Sequence, residues 1–480
     1  MNSKYNSTIY FTVPIMLAVL ALTVTSLPNI NNPLWQDEIY TVVHFASNGF
    51  LYPFTEYHAP NNHILFSALL SQWSGPESSV AELRFFALLI SCSVAIALYA
   101  LGRRLGNHYF SCFLLVLYLS SPITQNFSLQ LRGYSLSCGL VTLQILSALN
   151  IFHRPKKRWL AAYLVLSFLS TTTLPTNVVI NASISIWAII IITLQGQKSI
   201  QTYLVFALGP FMGLLSYSEV ISSVIEIATH GASAWQNIDL LYHFYSSVYF
   251  GSIWFFLLFS ITSLVLLLRR GIKHWSEQDN SILLLVAITT LVIFCWIVLP
   301  ASNPYPRNLI PTLPLYCLGI SLLIWKCFSF FLNTERSFFL ISSLISACTI
   351  FYNLNINPCQ NDRSGTTHVQ NLCEQAYNSN HYKPYATVAH LLKIQANGPK
   401  IVIGGYDAEY DLNYILKYIS SPLRVNNITR VSEIKFLPDY VVAKDISEAR
   451  EIAKKIFPTP PVSLNKDTGY FKVYRLGDPP

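Results

Sequence analysis

Leu83-Arg84-Phe85-Phe86-Ala87-Leu88-Leu89-Ile90-Ser91-Cys92-Ser93-Val94-Ala95-Ile96-Ala97-Leu98-Tyr99-Ala100-Leu101-Gly102-Arg103-Arg104 is an apolar run holding one charge near its start and closed by two more. An α-helix needs roughly 20 such residues to cross the hydrocarbon core, because lipid offers no partners to unpaired backbone groups. Residues 83–101 meet that length. Arg103 and Arg104 then mark the end that stays on the cytoplasmic side, by the positive-inside bias. Residues 9–27, 134–152 and 250–268 read in the same way.

Composition agrees. The 480 residues are 52% hydrophobic and only 11% charged, against about 25% charged in an average soluble domain. An ordinary soluble chain is excluded. The net charge of +8 does not point to nucleic acid, since the basic residues gather in short turns between apolar runs instead of forming one face. Lys4 is the one basic residue before Ile9. The first run is longer than a signal-peptide core and lacks an obvious small-residue cleavage site, so it reads as a retained anchor.

Working outward from residues 83–101, one topology satisfies the Lys/Arg bias throughout. Spans fall at residues 9–27, 83–101, 109–121, 134–152, 159–173, 177–194, 203–220, 250–268, 282–299, 312–332 and 338–352. That makes about eleven transmembrane helices in a polytopic α-helical membrane domain, residues 1–352. Arg103-Arg104, the block Arg154-Pro155-Lys156-Lys157-Arg158, Lys198, Arg269-Arg270 and Arg336 all fall on one side. Residues 29–82 form a first extracytoplasmic loop. Within it, residues 64–73 are too short to span and read as a helix lying in the outer interface.

From about residue 353 charges return and helix-like and strand-like pieces alternate. Residues 400–403, 440–443 and 470–474 read as strands; 385–396, 407–418 and 447–456 read as helices. Residues 353–480 are therefore expected to form an extracytoplasmic α/β domain. Of the nine cysteines, Cys92, Cys112, Cys138, Cys295, Cys317, Cys327 and Cys348 lie in apolar runs, while Cys359 and Cys373 sit where a disulfide is open to them outside the membrane.

The first loop carries the candidate chemistry. It reads Asn32-Pro33-Leu34-Trp35-Gln36-Asp37-Glu38-Ile39-Tyr40, two adjacent carboxylates about ten residues from the membrane exit. Adjacent helical side chains diverge by about 100°, so one acid can face a reacting centre while the other supports it. A carboxylate in a partly dehydrated site is suited to taking a proton from an attacking hydroxyl. Two solvated loop acids are the plainer alternative.

Further along come Glu56-Tyr57-His58-Ala59-Pro60-Asn61-Asn62-His63, Gly102-Arg103-Arg104-Leu105-Gly106, Ser120-Ser121-Pro122 and Gln130-Leu131-Arg132-Gly133-Tyr134. A weaker echo is Tyr305-Pro306-Arg307-Asn308-Leu309-Ile310-Pro311. This ordered series, over roughly residues 9–194, resembles the GT-C class of membrane glycosyltransferases, specifically the protein O-mannosyltransferase and aminoarabinose-transferase superfamily. Two positions depart from the family pattern. His58-Ala59-Pro60 stands where His-Pro-Pro is usual, and Gln130 replaces an acid, which removes any role for an acid there.

The resemblance implies inverting transfer from a polyprenyl-phosphate-linked sugar to a hydroxyl acceptor, protein, glycolipid or polymer, at the outer face of the membrane; with no eukaryotic sorting signal read, a prokaryotic inner membrane is the expected home. Asp37 would take the acceptor's proton and Glu38 would support it. Phosphate is a good leaving group, so the site calls for positive charge more than for an acid. Arg132 and Arg307 are isolated on the outer side and offer forks that suit phosphate oxygens; interfacial snorkelling is their plainer role. Arg84 reads as an anchor. Glu56 and His58 are candidate sugar ligands, and Trp35 and Tyr305 candidate stacking platforms. No cofactor is required and no metal site is assigned; a divalent ion held by Glu56 and His58 is the open alternative, with His63 five residues from His58 and no third ligand evident by spacing. A transporter or flippase is disfavoured because Glu219 and Glu226 lie at or beyond the end of a span and no repeated halves are evident. A non-catalytic scaffold presenting residues 353–480 is the third reading.

Overall fold

The computed structural model describes residues 2–31, 34, 36–57, 62–75, 78–197, 199–222, 224–225, 278–298, 306–331, 391, 402–404, 425–427, 440–443, 448–450, 452, 462–467 and 472–476. The chain forms two compact units. One comprises Met1–Asn32 with Gly49–Ala376, the other Pro33–Asn48 with Tyr377–Pro480.

The first unit is helical. Its described helices are α1 (Asn2–Ser26), α3 (Tyr52–Thr55), α4 (Ile64–Trp73), α5 (Val80–Leu105), α6 (His108–Leu119), α7 (Pro122–Phe127), α8 (Tyr134–His153), α9 (Lys157–Thr173), α10 (Asn177–Leu194), α11 (Ile200–Met212), α12 (Gln278–Val298) and α13 (Leu313–Phe331). The second unit contributes α2 (Gln36–Tyr40). Among the described residues, five helical stretches are long and apolar enough to cross a membrane: Val80–Leu105, Tyr134–His153, Asn177–Leu194, Ile200–Tyr217 and Arg307–Lys326. The expected spans at 250–268 and 338–352 lie outside the described residues.

Local chemistry sets where these helices begin. Ser79 accepts from the Glu82 N–H at 3.3 Å and Glu82 accepts from the Ser79 N–H at 2.7 Å, a reciprocal cap that starts α5. Asn107 caps α6 by accepting from the Phe110 N–H at 3.0 Å. The span expected over 203–220 is a single helix only to Met212. It then tightens into a 3-10 segment, Gly213–Tyr217. Pro210 removes one backbone donor there, and at Gly213 a Cβ would overlap Thr171, so this stretch presses backbone against α9.

At the centre, α8 packs against α5, α9, α10, α13 and the 3-10 turn Pro306–Thr312. Val141, Ile145, Ile184, Trp187, Ile191, Tyr316 and Leu318 are buried in the common core. Lipid tails are as apolar as these side chains, so close packing and buried hydrogen bonds are what hold such helices together. The polar glue is explicit. Asn177 Nδ2 donates to Ser137 Oγ at 2.8 Å and to the Ser170 carbonyl at 2.9 Å, joining α10, α8 and α9. One turn on, Asn181 Nδ2 donates to Thr171 Oγ1 at 2.8 Å.

The short helix expected at 64–73 forms with those bounds as α4. Ile64, Phe66, Ala68 and Leu70 are buried, while Leu69 and Trp73 are exposed. It packs against α3, α5 and α9. Arg84, expected as an anchor, is buried and donates from Nη1 to the Asn29 carbonyl at 3.1 Å, tying the start of α5 to the exit of α1.

In the second unit, β1 (Val402–Gly404), β2 (Val425–Asn427), β3 (Tyr440–Ala443), β4 (Val462–Asp467) and β5 (Lys472–Leu476) form one sheet in the order β2-β1-β3-β5-β4. β1 runs parallel to β2 and β3, whereas β5 is antiparallel to β3 and β4. Val441, Val442 and Ala443 are consecutive and all buried, as suits a central strand covered on both faces. β2 and β4 were not anticipated. Leu391 and residues 448–450 are helical, within two of the expected helices; residues 407–418, Cys359 and Cys373 lie outside the described residues.

Candidate functional site

In the second unit, Asp37 and Glu38 occupy the first turn of α2. Acids there meet the positive end of the helix backbone. Thr41 donates from Oγ1 to the Asp37 carbonyl at 3.0 Å. The chain then continues into a π-helical turn, Thr41–Phe45, a wide turn often found at functional sites. Tyr40 stacks on His44 at 4.5 Å between ring centroids. Asp37 is half-buried and Glu38 is 2% exposed, so the two neighbouring acids occupy different environments.

In the first unit, the segments before α4 and α8 meet each other, and the 3-10 turn Pro306–Thr312 packs against α8. The N–H of Gly133 donates to His63 Nδ1 at 2.7 Å. That bond uses the ring's lone pair, so the proton of the neutral imidazole sits on Nε2. A Cβ on residue 133 would lie 2.6 Å from Thr173 Cγ2 and 2.8 Å from His63 Nδ1. Only glycine fits between them. The His63 ring stands edge-on to Tyr134 at 4.8 Å, and Phe127 meets the same tyrosine edge-on at 5.2 Å.

Two cations complete the cluster. Arg132 is 1% exposed, with its guanidinium 5.0 Å from the Tyr134 ring centroid, a cation–π contact. Arg307, at 9% exposed, sits in the 3-10 turn whose Ile310 carbonyl accepts from Cys138 Sγ of α8 at 3.4 Å. Both guanidinium charges act on His63. Burial first, then the field of Arg132, then that of Arg307, holds the imidazole well below its ordinary pKa. All three causes have the same sign, so His63 is neutral at pH 7.

A second layer supports this arrangement. Asn62 is buried and donates from Nδ2 to the carbonyls of Pro53 at 2.7 Å and Glu56 at 2.9 Å. Tyr57 meets Tyr217 edge-on at 6.1 Å, and Tyr217 donates to the Thr171 carbonyl at 2.9 Å. Burial, with a smaller contribution from Tyr134, pushes the Tyr57 phenol well above its ordinary pKa.

Of the residues singled out from sequence, Arg132 and Arg307 both bear electrostatically on one imidazole. Glu56 is half-buried at the end of α3. Trp35, His58 and Tyr305 lie outside the described residues. Among the described residues, no group of three or more His, Cys, Asp or Glu side chains has the arrangement to hold a metal ion. Gly133 and Tyr134 were not foreseen as parts of the cluster, and His63 was weighed only as a metal ligand. The available signal was His63 itself, a polar residue directly before the apolar run of α4.

Neither a family model nor a curated protein matches the sequence. Solved structures do. Aminoarabinose transferase ArnT from Cupriavidus metallidurans, in its apo state, is 12% identical, covers 98% of each chain and superposes with a TM-score of 0.57. An Archaeoglobus fulgidus oligosaccharyltransferase, crystallised with zinc and sulfate, is 12% identical over 96% of this chain and 72% of its own, at a TM-score of 0.47. The chain therefore has the polytopic helical fold of ArnT, with five described stretches long and apolar enough to cross a membrane.

Proposed function

We propose that the protein is an inverting glycosyltransferase that moves a sugar from a polyprenyl-phosphate donor to a hydroxyl acceptor at the outer face of the membrane. The observation that carries the reading is the pair of buried arginines, Arg132 and Arg307, acting on a single neutral histidine. A departing phosphate is an anion of the right kind, and the arginine fork matches its oxygens. The ArnT-like fold supports the same class of chemistry.

In this reaction the acceptor oxygen attacks the anomeric carbon as the bond to the phosphate oxygen breaks. The bonding pair leaves with the phosphate, and the acceptor proton passes to the Asp37 carboxylate. Glu38 supports Asp37. Arg132 and Arg307 neutralise the charge that grows on the leaving oxygen, the form of stabilisation worth most in a dehydrated site. Glu56, His58, Trp35 and Tyr305 are assigned to the sugar and its carrier. In this reading about eleven spans leave residues 29–82 and the C-terminal α/β domain outside a prokaryotic inner membrane. The acceptor is a protein, a glycolipid or a polymer, and mass spectrometry of envelope lipids, glycans and proteins with and without the gene identifies it.

Asp37→Asn keeps the shape of the side chain and removes the base. Transfer is expected to fall by at least about a hundredfold while the amount of protein in the membrane is unchanged; full activity in that variant overturns the assignment. No resident metal is required in this reading. A chelator is expected to leave transfer unchanged, whereas loss restored by one divalent cation would assign a metal to Glu56 and His58.

A further inference from the structure

We propose that His63 is a third ligand-binding group of this site, donating from Nε2–H to an oxygen of the same phosphate that Arg132 and Arg307 neutralise. The inference rests on the phosphate-donor reading above and adds to it a residue and a geometry. His63 is 1% exposed. Its Nδ1 is committed to the Gly133 N–H at 2.7 Å, so Nε2 carries the ring proton. Among the described residues that Nε2–H has no hydrogen-bond partner. Buried donors are nearly always satisfied, and the exceptions call for an explanation.

The charges around it say what the missing partner is. Arg132 and Arg307 are the ionised groups that act on His63. A guanidinium has donors and no acceptor, so neither can satisfy an N–H. Nε2–H is therefore a buried donor in a positive field, suited to an oxyanion and unsuited to a cation or a neutral donor. The ring is also held fast: Gly133 braces Nδ1 and Tyr134 stands edge-on to it at 4.8 Å. A donor fixed before the ligand arrives loses little freedom on binding.

The test separates the brace from the donor. In His63→Asn the amide oxygen takes the place of Nδ1 and keeps the Gly133 bond, but nothing reaches the position of Nε2. In His63→Gln the longer amide carries an N–H to that position. The intact chain in detergent micelles is titrated with undecaprenyl phosphate and, separately, with uncharged undecaprenol, with inorganic phosphate as competitor. The wild type is expected to prefer the phosphate. His63→Asn should weaken that binding about tenfold, with undecaprenol unaffected, and His63→Gln should recover most of the loss. Competition by inorganic phosphate alone would make the headgroup the whole determinant; its failure would add the chain. Wild-type binding by His63→Asn overturns the role of His63 and leaves the arginine site standing. Equal losses in Asn and Gln variants overturn it too, since packing and not the donor would then matter. A wild type that does not distinguish phosphate from alcohol overturns the phosphate-donor reading itself.

Discussion

The neutral state of His63 has a consequence for stability. In the unfolded chain the imidazole titrates near its usual value of about 6.5; in the folded protein burial and two arginines hold it well lower. Between those values the unfolded state carries the extra proton, so stability is full above about pH 6.5 and falls as pH drops below it. The unfolding temperature of the wild type should decline more steeply from pH 7 to pH 5.5 than that of His63→Asn; parallel slopes would refute the assignment. Arg132 tests fork against charge. Arg132→Lys keeps the charge but loses the planar pair of donors, so transfer should fall about tenfold or more, measured as kcat/KM in membranes. Gly133→Ala forces a methyl toward Thr173 and His63. It should cost about 1–3 kcal/mol, read as a lowered midpoint in thermal unfolding.

Among the elements, α10 owes its place to the amide of Asn177, which bridges to Ser137 of α8 and Ser170 of α9. Asn177→Leu should destabilise the bundle by about 1–2 kcal/mol, the scale of a buried interhelical hydrogen bond in lipid, with the loss read by detergent-resistance unfolding. The bounds of α10 and α4 were legible because each is an apolar run closed by polar or glycine-proline punctuation, Leu174-Pro175-Thr176 before one and Gly75-Pro76 after the other. The tightening at Gly213 was not, because it depends on Thr171 in another helix. The same holds for His63. Residue type alone marked it as a possible ligand, whereas its partner Gly133 lies 70 positions away, beyond any local pattern. β2 was missed for a related reason: Val425-Asn426-Asn427 has no strand pattern of its own and pairs only because β1 is beside it. Arg132 and Arg307 were recoverable because a basic residue on the outer side runs against the orientation bias.

For the whole molecule, the orientation is open to a direct measurement. Single cysteines at Lys156 and at Ser78 in a chain without other reactive thiols should label from opposite sides of the membrane, Ser78 from outside. Labelling of both from one side would break the topology on which the outward-facing site depends. The bond between Gly133 and His63 also sets a clock. His63 leaves the ribosome 70 residues ahead of Gly133, which at about 5–20 residues per second is roughly 4–14 s. During that interval α5, α6 and α7 are being made and inserted, and the imidazole has no brace. The brace on His63 is therefore a late product of biogenesis, made only when α8 begins and joined later still by Arg307, and a nascent chain arrested before residue 133 holds its first loop without it.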